Sequence, residues 1–445
     1  MPKTQSIRIR WAHLGVSLAL AAAGIVPCHA AAPVLSTIYS FTDIQDGGFP
    51  QAGLVMSSSG VLYGTTYYGG TSGWGTVFEL TQGTGGKWTE TTLYNFTGGT
   101  DGATPVSDLT IGTNNVLYGT AYYGGAHGYG AVFALTPPST GTTWTEKVLY
   151  SFASGNDGAY PAAGVALSSS TGVLYGTTYQ GGNEGCGTVF QVAPGKNNTW
   201  TEKVLYAFQG AADGCYPDAD LAFSSSTSIL YGTTSQGGEF TISPNTYPGW
   251  GTVFQLAPAG GGVWNETVLY TFTGGTDGGT PESNLIIGPG TVLYGTTFWG
   301  GNGSDCPIGG YQQGCGTIFE LTPAGGGVWK QSILYAFTGA NSTGTHPYRN
   351  ILRESTSGTL VGTTYAGGAA INVCFPESYP GCGTAFTLKP PATGTTWTQN
   401  NLAVFLGYNG GAPNGAIMST SGIVYGTTQM GGYSNGNGTV FQVVP

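Results

Sequence analysis

Charge is what this sequence has least of: only 7% of its 445 residues are charged, with 11 Lys plus Arg against 21 Asp plus Glu. Three of the basic residues, Lys3, Arg8 and Arg10, fall in the first ten positions. Beyond residue 30 there remain eight basic against 21 acidic side chains, a net charge of −13. A surface that negative repels phosphate backbones and anionic lipids, which excludes nucleic acid as an expected partner, and it counts against long polyanionic sugars. Arginine and histidine are scarcer still, since Arg349, Arg353, His127 and His346 are the only ones beyond residue 30. After residue 26 no apolar run is long enough to span a bilayer, so no membrane insertion is expected once the N-terminal segment is gone. There is no phosphate loop, Ser-centred elbow, metal-protease signature or C-x-x-C pair, and no cofactor is expected.

Glycine and aromatic residues are abundant instead, with 80 Gly and 13% aromatics. Together with Thr and Val they are the composition of short strands and tight turns, and their regular spacing argues against disorder. The chain opens as an export signal does: Lys3, Arg8 and Arg10, then the apolar "LGVSLALAAAGIV", then "CHA" as a small-residue cleavage site after Ala30. Cys28 is read as discarded with it, because Pro27 stands where a lipid-attachment site carries a small residue. The division is therefore a signal peptide over 1–30 and one repeat domain over 31–445.

That domain writes one sentence seven times. "LYGTT" or a close variant begins at Leu62, Leu117, Leu174, Leu230, Leu293, Leu360 and Val424, 55 to 67 residues apart. Each copy runs on through "GG" to "GTVFEL"-like text, then to "WTETTLYNF"-like text, which is led by Trp88 in the first copy and Trp397 in the sixth. A G-x-x-P turn and a short apolar run lead back to the start. Each unit thus holds four strand-length segments, and within "TVFEL" neighbouring side chains face opposite ways, with apolar residues on both faces. Repeated four-stranded sheets covered on both faces describe a β-propeller. The mature chain begins with a fourth strand, "VLSTIYSF", and ends with a third, "GTVFQVVP". Joined, they complete a seventh blade and remove the open edges of the array. The expected fold is all-β, a seven-bladed propeller closed by its N-terminal strand, in a monomer. The Gly inside each "LYGTT" is expected to mark close backbone approach under a neighbouring ring.

The text "YGGTSGWGTVFEL…WTETTLYNFTGGTDGATP" resembles the GloVer tandem-repeat family of exported bacterial proteins, over essentially the whole mature chain. The resemblance implies export and, in many members, a C-terminal surface anchor. Here the chain stops directly after a blade strand, so secretion or periplasmic residence is the expectation. The family offers no catalytic residues to carry over.

Departures from the repeat are where an asymmetric ligand can be recognised. Between "GG" and the next "GT" there are four residues in blades one to three and five in blade seven, but 12, 14 and 14 in blades four, five and six. These inserts share one rim, and long loops on a rigid scaffold are where function concentrates. Six cysteines remain after the signal, Cys186, Cys215, Cys306, Cys315, Cys374 and Cys382. An even count in an exported chain points to disulfides. Sequence alone leaves 15 pairings open; Cys306 with Cys315 and Cys374 with Cys382 are each near enough to close a local loop, and pairing Cys186 with Cys215 would staple blades three and four. The inserts and their flanks also carry Phe240, Tyr247, Trp250, Trp299, Tyr311, Phe375 and Tyr379, rings that suit sugar faces or an extended peptide. The alternative is that they pack their own loops.

The turn "GTHPYRN" is the odd copy. Thr343 replaces an Asp, and His346, Tyr348 and Arg349 arrive together; Arg349 stands where five other copies have Ala or Ser and one has Gly. His346 or Tyr348 could exchange protons while Arg349 stabilises an anion, as in a polysaccharide lyase. A structural Arg349 paired with Glu354 or Glu377 is the alternative. Just before each first-strand apolar residue lie Gly53, Asp108, Gly164, Asp220, Asn284, Asn350 and Ala416. Asp108 and Asp220 are candidates for calcium, against a solvated polar channel mouth. The turn residues Asp46, Asp101, Asp157, Asp213 and Asp277 read as turn-formers. The reading is an exported binding or scaffold module for a glycan or peptide on the rim of blades four to six. A carbohydrate-active enzyme and a purely structural surface protein are the alternatives, and ligand identity is not legible.

Overall fold

The computed structural model describes residues 32–445 except 43–44, 211, 239–248, 304–305, 309–310, 313, 340–342, 370–373, 375–380 and 433–435. Seven four-stranded antiparallel blades follow one another around a ring. Strands are lettered a to d within each blade. Blade one has a at Val55–Met56, b at Leu62–Thr66, c at Thr76–Gln82 and d at Trp88–Asn95. Blade seven takes a, b and c from Gly411–Met418, Val424–Met430 and Thr439–Val444. Its d strand is Val34–Ser40, which runs antiparallel to c from Val34 opposite Val444 to Ser40 opposite Thr439. The N-terminal strand therefore clasps the ring shut. Blade six is irregular in its a strand, which is split into Thr345–Pro347 and Leu352–Arg353, both paired with Leu360–Ala366.

The core lies between blades. Strand c alternates so that one face meets the preceding blade and the other the following one. A ladder of fully buried phenylalanines results, in which each d strand ends in a ring packed edge-on against the c-strand ring of the next blade. Phe41 meets Phe78 at 5.1 Å and Phe96 meets Phe133 at 5.2 Å. The same c-strand rings explain the repeated glycine. Gly64 sits directly opposite Phe78, and a Cβ there would lie 2.5 Å from the ring and 2.9 Å from Leu54. Close approach, rather than backbone conformation, excludes any side chain at this position.

Two further devices tie blade to blade and strand to strand. The residue before each a-strand proline is left-handed in all seven copies: Phe49, Thr104, Tyr160, Tyr216, Thr280, His346 and Ala412, with φ between 50° and 59°. That conformation aims its N–H at a carbonyl of the preceding blade, for example Thr104 N–H to Trp74 O at 2.8 Å and His346 N–H to Cys315 O at 2.8 Å. Within blades, a buried threonine of strand b bonds one of strand c, as in Thr178 with Thr188 at 2.9 Å. The turn aspartates cap their turns. Asp101 accepts the Tyr94 hydroxyl and the Thr97 N–H, and Asp46, Asp157, Asp213 and Asp277 repeat the arrangement.

Disulfides join Cys186 to Cys215, Cys306 to Cys315 and Cys374 to Cys382. The first crosses from blade three to blade four, the other two close loops of blades five and six. Three such bonds indicate an oxidising compartment. Among the described residues, no helix is long and apolar enough to cross a membrane.

Candidate functional site

Every a strand is entered through a proline, Pro50 in blade one and Pro413 in blade seven among them, and the residue after it turns toward the ring axis. In blades one to six these residues are Gln51, Val106, Ala162, Asp218, Glu282 and Tyr348, and all of them line one cavity of about 310 Å³. A second set of walls comes from the residue that follows strand b. In blades one to three it is Tyr67, Tyr122 and Tyr179, and these rings close one side of the cavity. They are braced from behind by the left-handed turn residues. Tyr160 stacks on Tyr122 at 5.3 Å, and Tyr216 on Tyr179 at 4.8 Å.

Tyr123 and Arg349 complete the lining. Arg349 lies where the a strand of blade six is interrupted, with a left-handed φ of 61°, so the break in pairing is what delivers a long side chain into the lumen. Its guanidinium carbon lies 5.2 Å from the centre of the Tyr348 ring. Burial works against its charge, yet Tyr348, Asp108, Asp218 and Asp220 outweigh that effect and keep it protonated. Opposite stand the carboxyls. Burial, against the pull of Arg349, lifts Asp218 to about 7. Burial and the neighbouring Asp218 lift Glu282 to about 8. Protein surrounds these groups, while water still reaches them from the axis, for each is half-buried. Among the described residues that line the cavity, two enclosed atoms have no hydrogen-bond partner, Asp218 Oδ1 and Arg349 Nε. Such atoms are costly unless something binds there.

Beneath the cavity the polar ring is consumed by internal bonds. Asp108 accepts the Gly53 N–H at 2.6 Å and an amide N–H of Asn350 from across the lumen. Asp220 accepts the Gly164 N–H at 2.6 Å and donates its own N–H to Asn284 at 2.7 Å. Burial, then the facing Asp108, lifts Asp220 to about 7. Among the described residues no group of three or more His, Cys, Asp or Glu is arranged to hold a metal ion.

The residues of the odd turn separate. Tyr348 and Arg349 line the cavity, and His346 does not. It is 1% exposed, with its ring 4.8 Å from both Phe298 and Trp299, and burial pushes its pKa down to about 3. It braces Phe298 as Tyr160 braces Tyr122. Glu354 accepts a hydrogen bond from Ser357, and Arg349 takes its field from the lumen carboxyls instead; Glu377 lies outside the described residues. Trp250 covers the next blade's turn, where a Cβ on Gly274 would lie 2.1 Å from its ring. Phe240, Tyr247, Phe375 and Tyr379 lie outside the described residues; Tyr311 is in a two-residue strand whose side chains also lie outside them. Among the described residues the exposed rings are Tyr68, Trp74 and Tyr123 on blades one and two, and Tyr408 in the turn between blades six and seven, each 41% exposed or more.

Sequence reasoning missed Asp218, Glu282 and the three wall tyrosines. The signal was the column after the prolines, which reads Gln, Val, Ala, Asp, Glu, Tyr and Asn over the seven copies. A position that varies so widely inside a regular repeat is not set by the repeat's own packing.

The family model described as Gloeobacter/Verrucomicrobia repeat matches residues 24–243 and again 240–441. A search of curated proteins returns no match. Among solved structures, an ancestral GH74 enzyme is similar with a TM-score of 0.55 at 13% identity, over 92% of this chain and 48% of that one. The PQQ-bound aldose sugar dehydrogenase of Streptomyces coelicolor gives a TM-score of 0.41 at 12% identity, over 93% of this chain and 98% of that one. At these identities the likeness is one of fold alone.

Proposed function

The chain belongs to the Gloeobacter/Verrucomicrobia repeat family, and from that premise we propose an exported propeller that binds a glycan in the mouth of its channel. One observation carries the reading: a cavity of about 310 Å³ with Tyr67, Tyr122 and Tyr179 on one side and Asp218, Glu282 and Arg349 on the other. A sugar ring has an apolar C–H face and an edge of hydroxyls. Tyrosine faces suit the first, and carboxyl and guanidinium groups suit the second. The exposed rings of Tyr68, Trp74 and Tyr123 offer stacking surfaces for further residues of the same chain. A compact cavity walled by three rings favours a glycan over an extended peptide. Export rests on the N-terminal segment and agrees with the three disulfides.

The test is a glycan array followed by calorimetry on Tyr122→Ala and Tyr179→Ala. Each variant is expected to weaken binding about 3- to 10-fold, the contribution of one aromatic face. No glycan binding, or binding indifferent to both tyrosines, would sink the proposal.

A catalytic reading is favoured by one observation, that Asp218 and Glu282 titrate near neutrality. It moves acid–base work from His346 to this pair. New reducing ends or unsaturated products from the bound glycan, lost in Glu282→Gln, would support it; a glycan held without turnover would remove it.

A further inference from the structure

We propose that the glycan carries a free primary amine, an amino sugar whose ammonium docks between Asp218 and Glu282 against the tyrosine wall. This rests on the glycan reading above and names its ligand class.

The first observation is Asp218 Oδ1, enclosed, without a hydrogen-bond partner, in a residue that lines the cavity. A hydroxyl could meet that need alone, so the argument for an ammonium is one of charge. Asp108, Asp218, Asp220 and Glu282 all act on one cation, Arg349. One guanidinium offsets one carboxylate. Asp108 and Asp220 are further supported by backbone N–H donors, whereas among the described residues no such donor from another residue supports Asp218 or Glu282.

The groups that face these two carboxyls are Arg349 and Tyr348 from blade six, and Tyr122 and Tyr179 from blades two and three. Asp218 acts on both Tyr122 and Tyr179, and Glu282 on Tyr179 as well, so wall and carboxyls bound the same space. An ammonium brings three donors for two carboxylates and a charge for the ring faces. A neutral hydroxyl brings one donor and no charge. Arg349 repels such a ligand, but Asp108 and Asp220 act on its guanidinium from below. The mature chain's charge of −13 favours cationic ligands at longer range. Docking would also ionise two carboxyls that hold protons near neutrality, so protons should leave as the ligand enters.

The experiment titrates the protein at about pH 6, where the sugar amines arrive charged, and low salt with β-1,4-linked glucosamine oligomers, their N-acetylated counterparts, and cello-oligosaccharides of equal length. The free amine is expected to bind at least 10-fold tighter than either of the others, with proton release seen as a buffer-dependent binding heat. Asp218→Asn/Glu282→Gln, which keeps the shapes, is expected to erase that preference. Equal or tighter binding of the acetylated or neutral oligomers overturns the amine and leaves the glycan reading standing. An array that returns only amine-free glycans does the same, and one that returns none overturns both.

Discussion

Blades one to three and blades four to six are built from the same repeat and present opposite chemistries to the same cavity. The first half offers three tyrosine faces above short loops, with Val106 and Ala162 after its prolines. The second half, whose blades carry the long inserts in their sequence, offers Asp218, Glu282 and Arg349. The seam between them is bridged by Cys186–Cys215. The difference shows how a symmetric ring acquires a sided site: the frame is kept, and only columns that point at the axis are free to diverge. Those columns lie off the ladder of phenylalanines, so their chemistry changes without cost to it.

The largest effect should come from removing the one cation of the charged half. Arg349→Met leaves several carboxyls without their counter-ion, and breaking a buried charge cluster costs about 3–5 kcal/mol. The cost depends on pH, because carboxyls that are protonated need no counter-ion. Denaturant unfolding at pH 9 should show nearly the full loss, and at pH 5 only a fraction of it. Equal losses at both would make Arg349 a packing residue and dissolve the contrast between the halves.

Cutting the seam comes next. The Cys186–Cys215 bond spans 29 residues, and a loop of that length is expected to contribute roughly 3–4 kcal/mol by restricting the unfolded chain. Cys186→Ser/Cys215→Ser should lower the unfolding midpoint accordingly under oxidising conditions and leave the reduced protein's midpoint unchanged. A loss in the reduced protein as well would mean that packing, not the cross-link, joins the halves.

The charged half should also carry its own cost. Asp218 and Glu282 have folded pKa values raised to about 7 and about 8, above those of free carboxyls. Their contribution to stability is therefore full below the unfolded pKa, near 4, and is lost as pH rises through 7 to 8. Asp218→Asn/Glu282→Gln removes that loss. At pH 9 the variant should gain roughly 1–2 kcal/mol over the native protein, a figure reduced for the water that reaches these groups. At pH 4 the two should match. No difference at pH 9 would mean that the carboxyls are solvated and that the mouth is no more than a polar opening.

The frame was legible because it is redundant. Seven copies of "LYGTT", the split final blade and the cysteine positions point to the same arrangement, and the structure has it. The site was legible only in part. Arg349 stood out because a long cation replaced small residues, but the same logic singled out His346, which is buried and does not line the cavity. Its neighbours in the alignment are Tyr160 and Tyr216, and all three fill the same brace behind a wall ring. A histidine there is a flat ring before it is a base. Asp218 and Glu282 escaped notice because sequence spacing does not say which side of a turn faces the axis.

The smallest effect tests the frame itself. Six blades carry the buried threonine pair between strands b and c, and blade two carries Ala121 opposite Ala131 instead. Both partners changed together there, as expected if one hydroxyl left alone in the core costs more than losing the bond. Thr178→Ala alone strands the Thr188 hydroxyl and N–H and should cost about 1–3 kcal/mol. Thr178→Ala/Thr188→Ala removes the stranded hydroxyl, though not the N–H, and should recover about 1 kcal/mol of that loss. Strict additivity in this cycle would mean the pair is not coupled, and blade two's double alanine would then need an explanation other than hydrogen bonding.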